Sequence, residues 1–514
     1  MQPEQVMQHT PSSGNEELPA LPRHPDNAWR IWLALATVLA LAAVLRLPGL
    51  SRQSLWNDEI AGICLTADGT AADLIARVSR QDAHPPAYAL LLHYVQRWAG
   101  NSETAVRMPS AVAGVLAVLA IFLVGRELAS PREGLVAALL LTTAWFPIYY
   151  SQEARPYMIL MLATLTATLA WLRLQGIPDR RPTTHRGWWT ALYFVASAAS
   201  CYLHYFGLQF VALQGIAAVC LNWRSRRRLV RTLVLYGAIA ALFALWLPAM
   251  WHQVHRGAGW IPRPDVTFLF EYLTELCNRS TLIAWPVAAL LLFLLALTVR
   301  DLARKNQGTD VDLFLWTWFL APYALAHVQS AVLSPVLVPR YLAASAPAFY
   351  LLVVRSVYRL PLGETGRTAL GGLLGAVLLF HVSFVMHYTT GAHKEQFREA
   401  VAEVIRRDPD YHAPVIGCAP NIEYFNYYFK RFGSPKRVVL HGGRPEDIAP
   451  LDAYLDREHP AYVWWLVAHE ASSTEFTSYL ASRFASVARV QLFWADVLLL
   501  IATDRPALLP DRPE

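Results

Sequence analysis

The sequence predicts a polytopic α-helical membrane protein with about eleven transmembrane helices, followed by a small C-terminal α/β domain outside the membrane. Three observations carry this expectation. Of 514 residues, 55% are hydrophobic and only 16% are charged, where a soluble globular chain carries about 25% charged residues; the mean hydropathy is +0.29. The charge is also unevenly spread. Residues 389–514 hold 14 Lys/Arg and 17 Asp/Glu, whereas the first 388 positions hold only 30 basic and 21 acidic residues. Finally, the basic residues sit in short clusters between apolar runs, so the net charge of +6 reflects membrane topology rather than nucleic-acid binding, which is excluded.

Residues 1–29 are polar and Pro-rich, and the first apolar run has no small-residue cleavage site after it. The segment reads as a disordered cytoplasmic tail rather than a signal peptide. The membrane domain is expected over 30–388, with apolar runs at 30–48, 109–125, 134–149, 157–173, 188–205, 207–222, 232–250, 281–299, 313–333, 341–358 and 368–388. The clusters Arg126/Arg132, Arg173/Arg180/Arg181/Arg186, Arg224 to Arg231, Arg300/Arg304/Lys305 and Arg355/Arg359/Arg367 fall on one side if the runs alternate. By the positive-inside rule that side is the cytoplasm, so the N-terminus is inside and the C-terminal domain outside. The stretch His84–Gly100 carries His93, Gln96 and Arg97 at helical spacing and reads as an amphipathic helix at the outer interface. The first external loop then spans 51–108, too long for a mere connection.

Beyond Tyr388, amphipathic helices are expected at 395–407, 420–431, 446–457 and 472–484. Strands are expected at 413–418, 436–440, 461–467, 486–493 and 496–502. Their alternation suggests an α/β domain over 389–514. The five cysteines show neither a disulfide framework nor zinc-like spacing.

Candidate chemistry gathers at the external ends of the spans. In Trp56-Asn57-Asp58-Glu59, adjacent carboxylates beside a tryptophan can supply a general base with a neighbour that orients it or holds a cation; the alternative is a solvated acidic pair. Glu153 and Arg155 lie in the short turn Tyr149–Tyr157, where Arg is unexpected, either as functional groups or as a mutual ion pair. Arg340, at the outer start of the tenth run, has the fork to grip a lipid phosphate, or is an interfacial anchor. His84, His204 and Tyr205 lie near outer helix ends, as either substrate-binding or satisfied structural groups. Trp260 and Arg263 suit sugar stacking or phosphate contact, or an aromatic belt.

In combination, the Asp58-Glu59 pair, His84-Pro85-Pro86, Val106-Arg107-Met108-Pro109-Ser110, the turn Ser151-Gln152-Glu153-Ala154-Arg155-Pro156-Tyr157 and Arg340-Tyr341-Leu342 resemble the bacterial glycosyltransferase family 39 group. This group belongs to the GT-C class and is related to protein O-mannosyltransferases and the lipid A aminoarabinose transferase. The resemblance spans about residues 30–360. It implies a GT-C-like catalytic domain, a polyprenyl-phosphate-linked sugar donor, an acceptor glycan, lipid or protein, and a bacterial inner-membrane location with a terminal domain outside. It makes Asp58 the base, Glu59 its neighbour, Glu153 the second acidic position with Arg155 beside it, and Arg340 a donor-phosphate ligand. No Asp-x-Asp occurs in the first loop, which leaves a divalent cation open. The competing class is a lipid or sugar transporter, which would place ionisable groups near the bilayer midplane; the spans hold few there.

Overall fold

The computed structural model describes residues 28–177, 184–256, 259–306, 309–410 and 413–503. Nearly all of the expected tail over 1–29, with Arg180 and Arg181, lies outside these. The first helix, α1 (Ala28–Arg46), leads into three short helices, α2 (Asn57–Thr66), α3 (Ala71–Gln81) and α4 (Ala87–Ala99), before the long α5 (Glu103–Leu128). A capping box starts α3: Asp73 N donates to Thr70 Oγ1 at 3.3 Å and Thr70 N donates to Asp73 Oδ2 at 3.0 Å. Ser102 caps α5 by accepting from Ala105 N at 3.2 Å. That cap starts the helix at Glu103, so 103–108 leave the loop expected to reach 108. The stretch 84–100 forms the short α4 rather than a span; Trp98 faces out at 79% exposure, while His93 turns inward to the Thr66 carbonyl at 2.8 Å.

The remaining membrane-domain helices are α6 (Pro131–Thr143), α7 (Trp145–Ser151), α8 (Tyr157–Gln175), α9 (Arg186–Leu203), α10 (Tyr205–Asn222), α11 (Arg226–Ala244), α12 (Leu247–Arg256), α13 (Phe268–Leu276), α14 (Thr281–Ala303), α15 (Thr309–Val332), α16 (Ala346–Tyr358) and α17 (Glu364–Phe380). Among the described residues, seven helices are long and apolar enough to cross a membrane, or nine if each bent pair is one span, against about eleven expected. Of the other two expected runs, one forms α9, which carries Arg186, Thr190, Ser197 and Ser200, and the other forms α16, only 13 residues long.

The bent pairs, α6–α7 at 61° and α11–α12 at 63°, share one cause. A proline clashes with the carbonyl four residues before it and offers no N–H to that carbonyl. Helix α6 stops at Thr143, four residues before Pro147, and α11 stops at Ala244, four before Pro248. At the first break the freed Trp145 N–H donates to Asn278 Oδ1 at 2.7 Å, which satisfies a backbone group that water cannot reach. Outward-facing apolar residues such as Leu292 and Val234, each 66% exposed, coat the helices as lipid-facing surface.

The basic loops converge at one end of the bundle. There Arg355 pairs with Glu133 at 3.2 Å and with Asp312 at 3.0 Å, Arg359 with Asp301, and Arg173 with Glu127. Arg107 and Glu127 lie at opposite ends of α5, and twenty residues at 1.5 Å each separate them by ~30 Å, the thickness of a hydrocarbon core.

After α17 come α18 (Phe397–Arg407), β1 (Val415–Cys418), α19 (Glu423–Arg431), β2 (Val438–His441), α20 (Ile448–Glu458), β3 (Tyr462–Ala468), α21 (Thr474–Arg483), β4 (Phe484–Leu492) and β5 (Ala495–Ala502). The sheet has the order β2-β1-β3-β5-β4, with β2, β1 and β3 parallel and β5 and β4 antiparallel. Both faces are covered: Trp465 packs with Leu451, Phe476 and Leu480, while neighbouring Trp464 joins Phe397 and Phe425 in the main core. This two-sided burial explains the near-continuous apolar run of β3. The face carrying α18 and α19 lies directly on the first loop. Leu55 N donates to Tyr428 Oη at 2.8 Å, Arg398 donates to the Ser51 and Arg52 carbonyls at 2.6 Å each, and Arg431 pairs with Glu103 at 2.5 Å.

Candidate active site

Arg107 organises the site. Buried on the first turns of α5, it donates to the carbonyls of Leu50, Gln53 and Ser54 at 2.7 to 2.8 Å and forks onto Glu59 at 2.8 and 2.5 Å. Glu59, fully buried, also accepts from Trp56 N at 3.3 Å and from Ala154 N at 2.7 Å. It therefore joins the first loop to the Ser151–Tyr157 turn. Burial opposes its ionisation, but Arg107 and Lys394 outweigh burial and hold the carboxyl down at about 2. The turn itself is seated by Gly114 of α5, where a Cβ would lie 2.1 Å from Ser151 Oγ.

Asp58, the next residue back, points elsewhere. Its carboxylate is 25% exposed, with Arg340 Nη2 at 3.5 Å and Asn57 Nδ2 at 3.3 Å. Arg340 lies on the 3-10 turn Pro339–Ala344, its guanidinium over the rings of Trp260 at 5.1 Å, Tyr341 at 5.7 Å and Trp56 at 5.8 Å. Tyr341 extends the cluster to His204 at 4.8 Å, His84 at 5.8 Å and Tyr157 at 6.3 Å between ring centroids. Asp82 holds His84 Nδ1 at 3.0 Å; burial opposes the Asp82 charge, but His84 and Arg155 keep its carboxyl below the usual range.

Glu153 is also fully buried. Neither of its carboxylate oxygens has a hydrogen-bond partner, and Lys394 Nζ stands 3.7 Å away. Burial pushes its carboxyl up to about 7 against the pull of Lys394. Trp56 Nε1, Asn57 Oδ1, Arg155 Nε, Tyr157 Oη, His204 Nε2 and Arg340 Nε are likewise buried without hydrogen-bond partners. Buried polar groups are normally satisfied. Such a concentration around Asp58, Glu153 and Arg340 marks a place built to receive a polar ligand.

Asp58, Glu153, Arg155, Arg340, His84, His204 and Trp260 are thus gathered in one region from segments far apart in sequence. No ion pair joins Glu153 to Arg155 among the described residues, so the expected alternative of a mutual pair does not occur. Tyr205 is turned away: its hydroxyl donates to Gln253 and accepts from Trp246 Nε1 at 3.2 Å, which pins α10 to α12. Arg263 is exposed, and among the described residues no hydrogen bond or ion pair joins it to the cluster. Arg107 shows in the sequence only as part of the Val106–Ser110 motif, Asp82 only by its place two residues before His84, and Lys394 carries no local signal. Among the described residues no group of three or more His, Cys, Asp or Glu side chains could hold a metal ion. Asp58 stands beside a guanidinium and Glu59 is held by Arg107, Trp56 N and Ala154 N.

The family model described as dolichyl-phosphate-mannose-protein mannosyltransferase matches residues 83–252. That range contains His84, Arg107, Glu153, Arg155 and His204, and leaves Asp58 and Arg340 outside. No curated protein matches the chain. The structure is similar to that of ArnT from Cupriavidus metallidurans in the apo state, at 14% identity and a TM-score of 0.57, covering 92% of this chain and 98% of that one. It is similar too to ArnT from the same organism bound to undecaprenyl phosphate, at 13% identity and a TM-score of 0.56, covering 95% and 100%. The likeness runs the length of both chains, through the membrane helices and the C-terminal sheet. The chain has the fold of ArnT, and the family-model match over 83–252 agrees with the resemblance carried by the motifs in that range.

Proposed function

We propose that the chain is a membrane glycosyltransferase that moves a sugar from a polyprenyl-phosphate donor to an acceptor hydroxyl at the outer face of a bacterial cytoplasmic membrane. One observation carries this reading: a carboxylate, Asp58, stands 3.5 Å from a caged guanidinium, Arg340, at the bundle end opposite the basic loops. A sugar on a lipid phosphate already has a good leaving group. What remains is a base for the acceptor and positive charge for the departing phosphate.

In the proposed step Asp58 takes the proton of the acceptor hydroxyl, whose oxygen attacks the anomeric carbon. The bond from that carbon to the phosphate oxygen breaks, and the phosphate leaves with the electron pair towards Arg340 and Arg155. A single displacement inverts the anomeric centre. His84, oriented by Asp82, and His204 line the donor end, Trp260 stacks on sugar, and the open oxygens of Glu153 accept from substrate hydroxyls. Glu59 is a positioning residue that fixes the loop carrying Asp58. The ArnT structure bound to undecaprenyl phosphate supports a polyprenyl phosphate as the lipid.

Two tests arise here. Arg340→Lys keeps charge but loses the fork, so affinity for polyprenyl phosphate is expected to fall about tenfold while the protein still folds; unchanged affinity in Arg340→Ala removes the assignment. For orientation, a cysteine at Ala471 is expected to react with an impermeant thiol reagent in intact cells and one at Asn306 is not, and labelling at 306 overturns the proposed sidedness.

A further inference from the structure

The segment between the last membrane helix and the C-terminal unit is a strap lying along the first loop. Arg52 donates to the Tyr388 carbonyl at 2.9 Å, His393 N to Gln53 Oε1 at 2.8 Å, Asn57 N to Glu395 Oε2 at 2.9 Å and Arg398 N to Ser54 Oγ at 3.1 Å. Between these anchors the strap inserts one side chain into the site. Lys394, 1% exposed, donates to the Gln152 carbonyl at 2.7 Å and stands 3.7 Å from both Glu59 Oε2 and Glu153 Oε1.

The charge arithmetic of this buried group is short. Arg107 forks onto Glu59 and accounts for that carboxylate. Lys394 is then the ammonium beside Glu153, whose two oxygens receive no hydrogen bond from the protein. The other groups facing Glu153 are Asp58 from α2, Tyr88 from α4, Arg340 from the 3-10 turn, Tyr149 and Tyr150 from α7, Tyr157 from α8, and Tyr388 from the strap. Of the two cations, Arg340 is shared with Asp58. A buried carboxylate without a counter-charge takes up a proton.

We propose that Lys394 is a positioning residue of the transfer site: its ammonium opposes protonation of Glu153, so the site is complete only when the strap and the C-terminal unit are docked on the first loop. This rests on the transferase reading for its consequence, since an ionised Glu153 accepts from substrate hydroxyls through both oxygens, whereas a protonated one turns one of them into a donor. It does not rest on that reading for its physics. Burial lowers the Lys394 ammonium from its ordinary range against the pull of the glutamates, and raises the Glu153 carboxyl against the pull of Lys394, so removing the ammonium raises Glu153 further.

The test is an infrared pH titration of the purified full-length chain, following the protonated-carboxyl band that Glu153→Gln removes. Lys394→Gln takes away the charge but keeps a donor for the Gln152 carbonyl. It is expected to move the midpoint of that band upward by about one pH unit or more, and to move the acid limb of transfer in the same direction, with about tenfold loss at neutral pH. Lys394→Arg keeps the charge and is expected to leave the midpoint near that of the wild type. Where Lys394→Gln does not accumulate, Lys394→Met serves in its place. A midpoint unmoved by loss of the charge, or moved as far by Arg as by Gln, overturns the proposal; so does a uniform loss of transfer with an unshifted acid limb. A shifted band in a chain that transfers no sugar upholds the role of Lys394 and overturns the transferase reading alone.

Discussion

Asp58→Asn is expected to lower sugar transfer by about 10² to 10⁴ fold while leaving polyprenyl-phosphate binding close to normal. The substitution preserves the shape of the side chain and its place beside Arg340 and Asn57, and removes its basicity. The rival bases are its neighbours. At Glu59 four donor groups already converge on the two oxygens, and Glu59→Gln, measured in parallel, tests that candidate. Glu153→Gln separates the other. Near-normal turnover in Asp58→Asn together with loss in Glu153→Gln transfers the role of base to Glu153.

Breaking the Arg107–Glu59 pair is expected to give the largest loss of stability. Removing one partner of a buried ion pair costs about 3 to 5 kcal/mol, because the other charge is left uncompensated. Arg107→Met strands Glu59 beside Lys394 alone and frees three loop carbonyls from their donor. Thermal unfolding in detergent is expected to fall accordingly, and a melting temperature within a degree or two of wild type contradicts the scaffold role. The pH dependence carries its own sign. Glu59 is depressed from 4.5 to about 2 in the folded state, so its contribution is present above about 4.5 and lost as pH falls towards 2. Glu59→Gln is expected to lower stability at neutral pH and to flatten the acid side of the profile in that window.

The sequence was informative where charge interrupts apolar runs. Asp58, Glu153, Arg155 and Arg340 stand out because each is ionisable near the end of a span opposite the basic loops, and the structure gathers them. It was less informative about direction. Asp58 and Glu59 read as a pair, but they sit on the first turn of a helix, where successive residues point about 100° apart. One faces Arg340 and the other is buried against Arg107. The span count fell short of about eleven partly because a run of hydropathy does not register a bend. The signals were Pro147 and Pro248, each four residues beyond a helix end. Tyr205 looked like a ligand residue beside His204 and is instead a pin to Gln253 and Trp246. Lys394 was hidden for a different reason. It lies in the stretch whose charge density reads as ordinary soluble protein, 242 residues from the Gln152 carbonyl it binds, and only the fold brings such distant positions together.

The most direct measurement is a transfer assay with purified wild-type and Asp58→Asn protein in membranes, using a polyprenyl-phosphate sugar labelled in the sugar and an envelope fraction as acceptor. Label is expected to pass to the acceptor fraction with wild type, with free polyprenyl phosphate appearing in step, and to do so at least a hundredfold more slowly with Asp58→Asn. Wild-type protein that binds the labelled donors but leaves them intact, or an Asp58→Asn variant that transfers at the wild-type rate, contradicts a transferase built on Asp58.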